Sequence, residues 1–198
     1  MTETLVFALG LGVVLVRRRS LAIALVAAQS LAIGLLALGE ADELLVPGIV
    51  LVVKAVALPV LLGAVLKRTR EPRLVPAAAG PLARLAATAA AAGTAAALLP
   101  ALGTGDVHAE RMAVAIVVTG LAIVVARRPV LFQLLGLIVA ENGLSLLAVS
   151  VPGGLSYVIE LGALLDLALI VVVASFFARR IHDELGTGDT HLLRGLRD

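Results

Sequence analysis

The chain has 198 residues, of which 61% are hydrophobic and 15% charged, with 16 Lys plus Arg against 14 Asp plus Glu and no cysteine. Soluble domains are nearer half apolar and a quarter charged, so these proportions, with a mean hydropathy of +1.09, describe a membrane protein. The lack of cysteine excludes disulfides, iron–sulfur clusters and thiolate metal sites within the chain; basic residues in short clusters between apolar runs, with four Phe and one Tyr, argue for membrane topology and against nucleic-acid binding.

Seven apolar runs follow one another, at about 4–16, 20–38, 44–66, 82–102, 112–126, 129–151 and 155–178. Most reach the roughly 20 residues that carry a helix across about 30 Å of hydrocarbon; the first and fifth are short. The first is read as a short span, not a signal peptide, because its basic cluster Arg17 to Arg19 follows the apolar run. Loops carrying Arg17 to Arg19, Lys67 to Arg73, Arg127 and Arg128, and the tail from Arg179 alternate with loops carrying Glu40, Asp42, Glu43, Asp106 and Glu110. With seven spans, 14 of the 16 basic residues fall on one side, Arg84 snorkelling to it from the start of the fourth helix, while Arg111 is outside and Lys54 lies within a helix.

The expected fold is therefore an all-α integral membrane protein of about seven transmembrane helices in the cell inner membrane, N-terminus outside and C-terminus cytoplasmic. Its expected segments are an N-terminal three-helix unit (1–74), an alanine-rich fourth helix and loop (75–108), a second three-helix unit (109–180) and a cytoplasmic tail (181–198).

Four charges remain inside the apolar runs: Lys54, Glu141, Glu160 and Asp166. Each costs on the order of 2.5–3.5 kcal/mol at a helix centre, so an intramembrane charge reads as a functional site facing protein or water, against the plainer reading of a polar contact that fixes packing. Glu141 lies 13 residues after Arg128 and Asp166 lies 13 before Arg179. At about 1.5 Å per residue both sit some 20 Å from the basic ends, near the midplane. The turn at 151–154 reads Val-Pro-Gly-Gly, so the last two helices are expected to form an antiparallel hairpin that sets the two acids face to face. Glu160 is about 240° around the helix from Asp166 and about 9 Å above it, where it either lines an exit or sits at the interface. Low dielectric around such carboxyls favours reversible proton uptake.

An offset of 112 residues lays Gln29 and Ser30 on Glu141 and Asn142, and Lys54 on Asp166, without a gap. Read as a parallel repeat of a hairpin, this puts Gln29 and Lys54 where the second copy has two acids, with Gln29 and Asn142 as supporting polar groups. Lys54 is then either the partner of one acid or an independent group, and Pro59 should kink its helix. Alanines across 83–101 point to a close-packing surface. His108, His182 and His191 fall in loops or the tail, and no phosphate loop, nucleophile elbow or metal-ligand spacing is present in the sequence.

The stretch from Arg127 to Leu137 (Arg-Arg-Pro-Val-Leu-Phe-Gln-Leu-Leu-Gly-Leu), followed by Ala140-Glu-Asn-Gly143, Glu160-Leu-Gly-Ala-Leu-Leu-Asp166 and the tail Arg179-Arg-Ile-His-Asp-Glu184, resembles the hydrogenase-4 component E (HyfE) family. That family is similar, in its last three helices, to the NuoK subunit of complex I and to MrpC of multisubunit cation/proton antiporters. The resemblance implies a noncatalytic membrane-arm subunit of a complex I-like group 4 [NiFe] hydrogenase or formate hydrogenlyase. Its partners would be antiporter-like membrane subunits and a membrane-anchored hydrogenase module, which would carry the NiFe centre and iron–sulfur clusters; the chain itself would hold no cofactor or metal. Asp166 matches one of the two NuoK glutamates, shortened by a methylene. The other match departs from the pattern, the acid appearing one turn later at Glu141. The implied proton relay runs through Glu141 and Asp166, with Glu160 and Lys54 extending or tuning it. Two other readings stand beside it: a subunit of a cation/proton antiporter, and a structural membrane scaffold.

Overall fold

The computed structural model describes residues 2–39, 49, 52–57, 59–60, 62–63, 80–98 and 106–150. Five helices are delimited: α1 (Thr2–Leu15), α2 (Arg19–Gly39), α3 (Pro81–Leu98), α4 (Val107–Ala126) and α5 (Val130–Ser150). Residues 52–57, 59–60 and 62–63, between α2 and α3, are also helical. Among the described residues, three helices, α2, α4 and α5, are long and apolar enough to cross a membrane, while α1 is apolar but only 14 residues long. The chain is an all-helical membrane protein over the described part.

α4 begins upstream of the apolar run expected from 112. Asp106 supplies the reason: its carboxylate accepts the backbone N–H of His108 at 2.9 Å and of Ala109 at 3.0 Å, capping two of the donors that a helix start leaves unpaired. The cap carries His108 and Glu110 into the first turn and lengthens the helix to 20 residues. At the other end Arg127 takes up extended backbone and Pro129 opens α5, where its lack of an N–H costs nothing. Gln133 then donates from Nε2 to the Arg127 carbonyl at 3.1 Å, which closes the turn.

The short connections at 16–18 and 127–129 make α1 with α2, and α4 with α5, two antiparallel hairpins. They stack like on like, α1 against α4 and α2 against α5, and α3 lies on the α1/α4 side. The α4/α5 contact is the most extensive, and it is made backbone to backbone. A Cβ on Gly120 would stand 2.4 Å from the Ala140 nitrogen and 2.5 Å from the Gly136 carbonyl oxygen, positions no real side chain occupies. Small residues at a helix crossing let the axes approach until dispersion and Cα–H···O contacts act between main chains, which is what holds helices together where lipid removes the hydrophobic drive. The alanine-rich α3 uses the same device, setting Ala92 and Ala96 against Ala115 of α4. Phe132, Leu135, Ile138, Ile33 and Ile116 fill the core between the hairpins, whereas Leu35, Val53, Val56 and Val60 project outward, as suits an exterior facing hydrocarbon or another apolar surface.

Candidate functional site

Halfway along the bundle the apolar core is interrupted by a connected set of polar side chains from three helical segments, tied to a backbone carbonyl of a fourth. Gln29, Ser30 and Asn142 are wholly or almost wholly buried, and Lys54 is 3% exposed. Lys54 Nζ makes an ion pair with Glu141 Oε2 and donates to Asn142 Oδ1 at 3.1 Å. Ser30 Oγ donates to the same oxygen at 3.1 Å. Asn142 Nδ2 donates to Gln29 Oε1 at 3.0 Å, and Gln29 Nε2 donates to the Val6 carbonyl of α1 at 2.9 Å.

The polarity of this chain is forced from one end. An ammonium group only donates, so the oxygen of Asn142 must face Lys54; the Asn142 nitrogen therefore faces α2, where the Gln29 oxygen must accept it, and the Gln29 nitrogen is left to α1. The last link exists because residue 10 is glycine. In a helix the side chain at i+4 shields the carbonyl at i, and the Val6 carbonyl is uncovered by Gly10; a Cβ there would stand 3.0 Å from Gln29 Nε2. Every amide in the network is satisfied, which is the condition for burying polar groups without a large penalty.

Lys54 and Glu141 differ in their surroundings. The Lys54 side chain is 2% exposed and the Glu141 side chain 17%, so the acid opens toward the flank of the bundle. Beside Lys54 a crevice lined by Ile23, Val26, Ser30, Pro59 and Ile138 has space for about one water molecule. Apart from Ser30 of the polar layer, its α2 and α5 residues belong to the first halves of those helices, so it lies between the polar layer and the end that carries Arg19 and Arg127. The arrangement places a donor-only cation between a water-sized space and a partly accessible carboxylate, a geometry that can hand a proton from one to the other.

Of the residues singled out from sequence, Gln29, Lys54, Glu141 and Asn142 come together. Glu160 and Asp166 lie outside the described residues. The acid of α5 is held by the lysine, which settles one alternative: Lys54 is the partner of an acid. Ser30 was not singled out, although the 112-residue offset superposes it on Asn142, the residue it touches.

A second feature was visible in the sequence only as loop charge. Arg127 Nη2 donates to the carbonyls of Val14 at 2.8 Å and Val16 at 2.6 Å, with a longer contact to Val13 at 3.4 Å, and its guanidinium lies 4.4 Å from the centre of the Phe132 ring. The free carbonyls at the end of α1 are thus satisfied by a cation from the α4–α5 turn, favourably placed for the helix dipole. Burial, with repulsion from Arg84 and Arg17, brings the Arg127 guanidinium down to about 10, which leaves it charged at neutral pH. Arg84, expected to snorkel out from α3, is instead 8% exposed.

No family model matches the chain. It is 30% identical over 92 residues to an uncharacterised protein of Mycobacterium tuberculosis, Rv0085, an alignment covering 46% of this chain and 42% of that one. The chain thus matches less than half the length of this relative. No solved structure matches.

Proposed function

We propose that the chain is a membrane-arm subunit of a complex I-like group 4 [NiFe] hydrogenase or formate hydrogenlyase, and that Lys54 and Glu141 form a step of its proton path. In this reading the chain spans the inner membrane about seven times with its C-terminus in the cytoplasm, next to antiporter-like subunits and a hydrogenase module. The observation that carries it is the Lys54–Glu141 pair, a buried lysine on a partly accessible acid, wired to Asn142, Gln29 and Ser30 at mid-depth. Burying two ions in a membrane is expensive, and an apolar pair would hold the helices as well or better, so a retained ion pair is weak evidence for stability and better evidence for a task.

The chemistry is proton exchange between the ion pair and its neutral form. Lys54 gives its proton to Glu141, water in the adjacent crevice returns one to the amine from the basic end of the bundle, and Glu141 releases the transferred proton on its accessible side. Asn142 holds the ammonium through its Oδ1, which also accepts from Ser30, and it carries no net proton because its oxygen and nitrogen are oriented by the lysine itself. Asp166 and Glu160 are the next acids along the chain and extend the path in this proposal.

The test separates relay from scaffold. Glu141→Gln and the double variant Lys54→Met/Glu141→Leu are introduced into the chromosomal copy, and assembly, electron transfer and proton translocation are measured in native membranes. The double variant is expected to assemble and to lose translocation per electron by about tenfold or more, a cost typical of losing a positioned proton-transfer group. Unaltered translocation in an assembled double variant would leave the scaffold reading standing. Copurification of antiporter-like subunits without a hydrogenase would move the chain to the cation/proton antiporters.

A further inference from the structure

The end of the bundle opposite Asp106 gathers positive charge. Arg84 enters from the first turn of α3, Arg127 from the α4–α5 turn, and Arg17 from the α1–α2 turn. Arg84 and Arg127 are both more than nine-tenths buried. All three guanidinium nitrogens of Arg84, and Nη1 of Arg127, make no hydrogen bond. The repulsion that Arg84 and Arg17 exert on Arg127 shows that these cations share one neighbourhood. Arg127 spends Nη2 on the α1 carbonyls and keeps Nη1 uncommitted, so two guanidinium groups present unused donors where buried donors are ordinarily paired.

We infer that Arg84 and Arg127, with Arg17 at the rim, bind the phosphate group of an anionic phospholipid in the leaflet at the basic end of the bundle. A phosphate offers several acceptor oxygens and a negative charge, matching planar guanidinium forks better than a single carbonyl does. The apolar surroundings favour a lipid as its source. Leu82 and Val125, each two residues from one of these arginines, are 76% and 87% exposed and extend an apolar surface for acyl chains beside the cations. Basic pockets between transmembrane helices at the membrane edge are where anionic headgroups are held. A choline headgroup would bring its own cation into the cluster and is disfavoured.

The full chain, extracted from its native membrane in mild detergent, is titrated with phosphatidylglycerol, phosphatidylcholine and inorganic phosphate, reading thermal stability and bound lipid by native mass spectrometry. Phosphatidylglycerol is expected to stabilise the chain and stay bound, with about tenfold weaker binding in Arg84→Gln, an intermediate value in Arg84→Lys, and no change in Arg111→Gln at the other end. Arg84→Lys keeps the charge, so the comparison holds even where Arg84→Gln folds poorly. Equal binding of both lipids, or undiminished binding of phosphatidylglycerol by Arg84→Gln and Arg84→Lys, would overturn the inference. Equal stabilisation by inorganic phosphate, with displacement of the lipid, would assign the site to a free anion and overturn the lipid source.

Discussion

The two stacked hairpins are built by different means. In α4/α5 the main chains touch at Gly120 and Gly136, and there is no space for even one methyl group. In α1/α2 the corresponding small residue, Gly12, faces the end of the Leu25 side chain, and a Cβ there would stand 3.2 Å from Leu25 Cδ1. The polar cargo differs as well: α5 carries the acid Glu141, α2 the neutral Gln29 and Ser30. The acid thus rides on the hairpin whose packing permits no adjustment, while the partner hairpin is set by movable side chains. A charged pair whose proton transfer depends on a fixed separation gains from the rigid support that α4/α5 gives to Glu141, while α1/α2 contributes only the neutral groups beside it.

The largest effect should come from leaving the charge of the rigid hairpin alone. Lys54→Met strands Glu141 and leaves the Asn142 oxygen with Ser30 as its remaining donor, and is expected to cost about 3–5 kcal/mol in SDS-titrated unfolding, as for other broken buried pairs. Adding Glu141→Leu should recover most of that loss; a double variant as unstable as the single would show that the pair is not the source. Next comes the packing contrast itself. Gly120→Ala must push backbone from backbone and should cost about 1–3 kcal/mol or more, whereas at Gly12 a shift of the Leu25 tip suffices and Gly12→Ala should cost under about 1 kcal/mol. Equal losses in thermal unfolding of the two variants would erase the distinction between the hairpins.

Smaller still is the effect of one link between them. Ser30→Ala removes one of the two donors to Asn142 Oδ1, and because Lys54 remains, the expected loss is about 0.5–1.5 kcal/mol. A double-mutant cycle with Asn142→Ala should return a coupling energy of that size, and additivity would mean the two hairpins meet there without exchanging energy.

How much of this was legible before the structure follows from what each residue's position encodes. Run length and hydropathy identified α2 and α5 as helices long enough to cross a membrane and gave α4 as a short run, and the separation of Glu141 from Arg128 placed the acid at mid-depth, because rise per residue is constant along a helix. The start of α4 was misjudged by hydropathy, since Asp106, His108 and Glu110 are polar; the N-cap chemistry of Asp106 was the signal available in the sequence. The 112-residue offset brought Ser30 and Asn142 to the same line, and these two side chains are in contact.

Depth is a property of sequence, and azimuth is not. The amino-acid order determined that the chain is apolar enough for a membrane, that its helices are broken by Arg-rich turns, and that Gln29, Lys54, Glu141 and Asn142 are polar groups at costly depth. Which of them meet depends on how each helix is rotated about its axis and on which helices are neighbours, and both are set by long-range packing such as the Gly120 contact with α5. Only the tertiary structure therefore decided that Lys54 takes Glu141, that the amides form a one-directional chain ending on the Val6 carbonyl, and that Arg84 is enclosed beside Arg127 and not extended toward water.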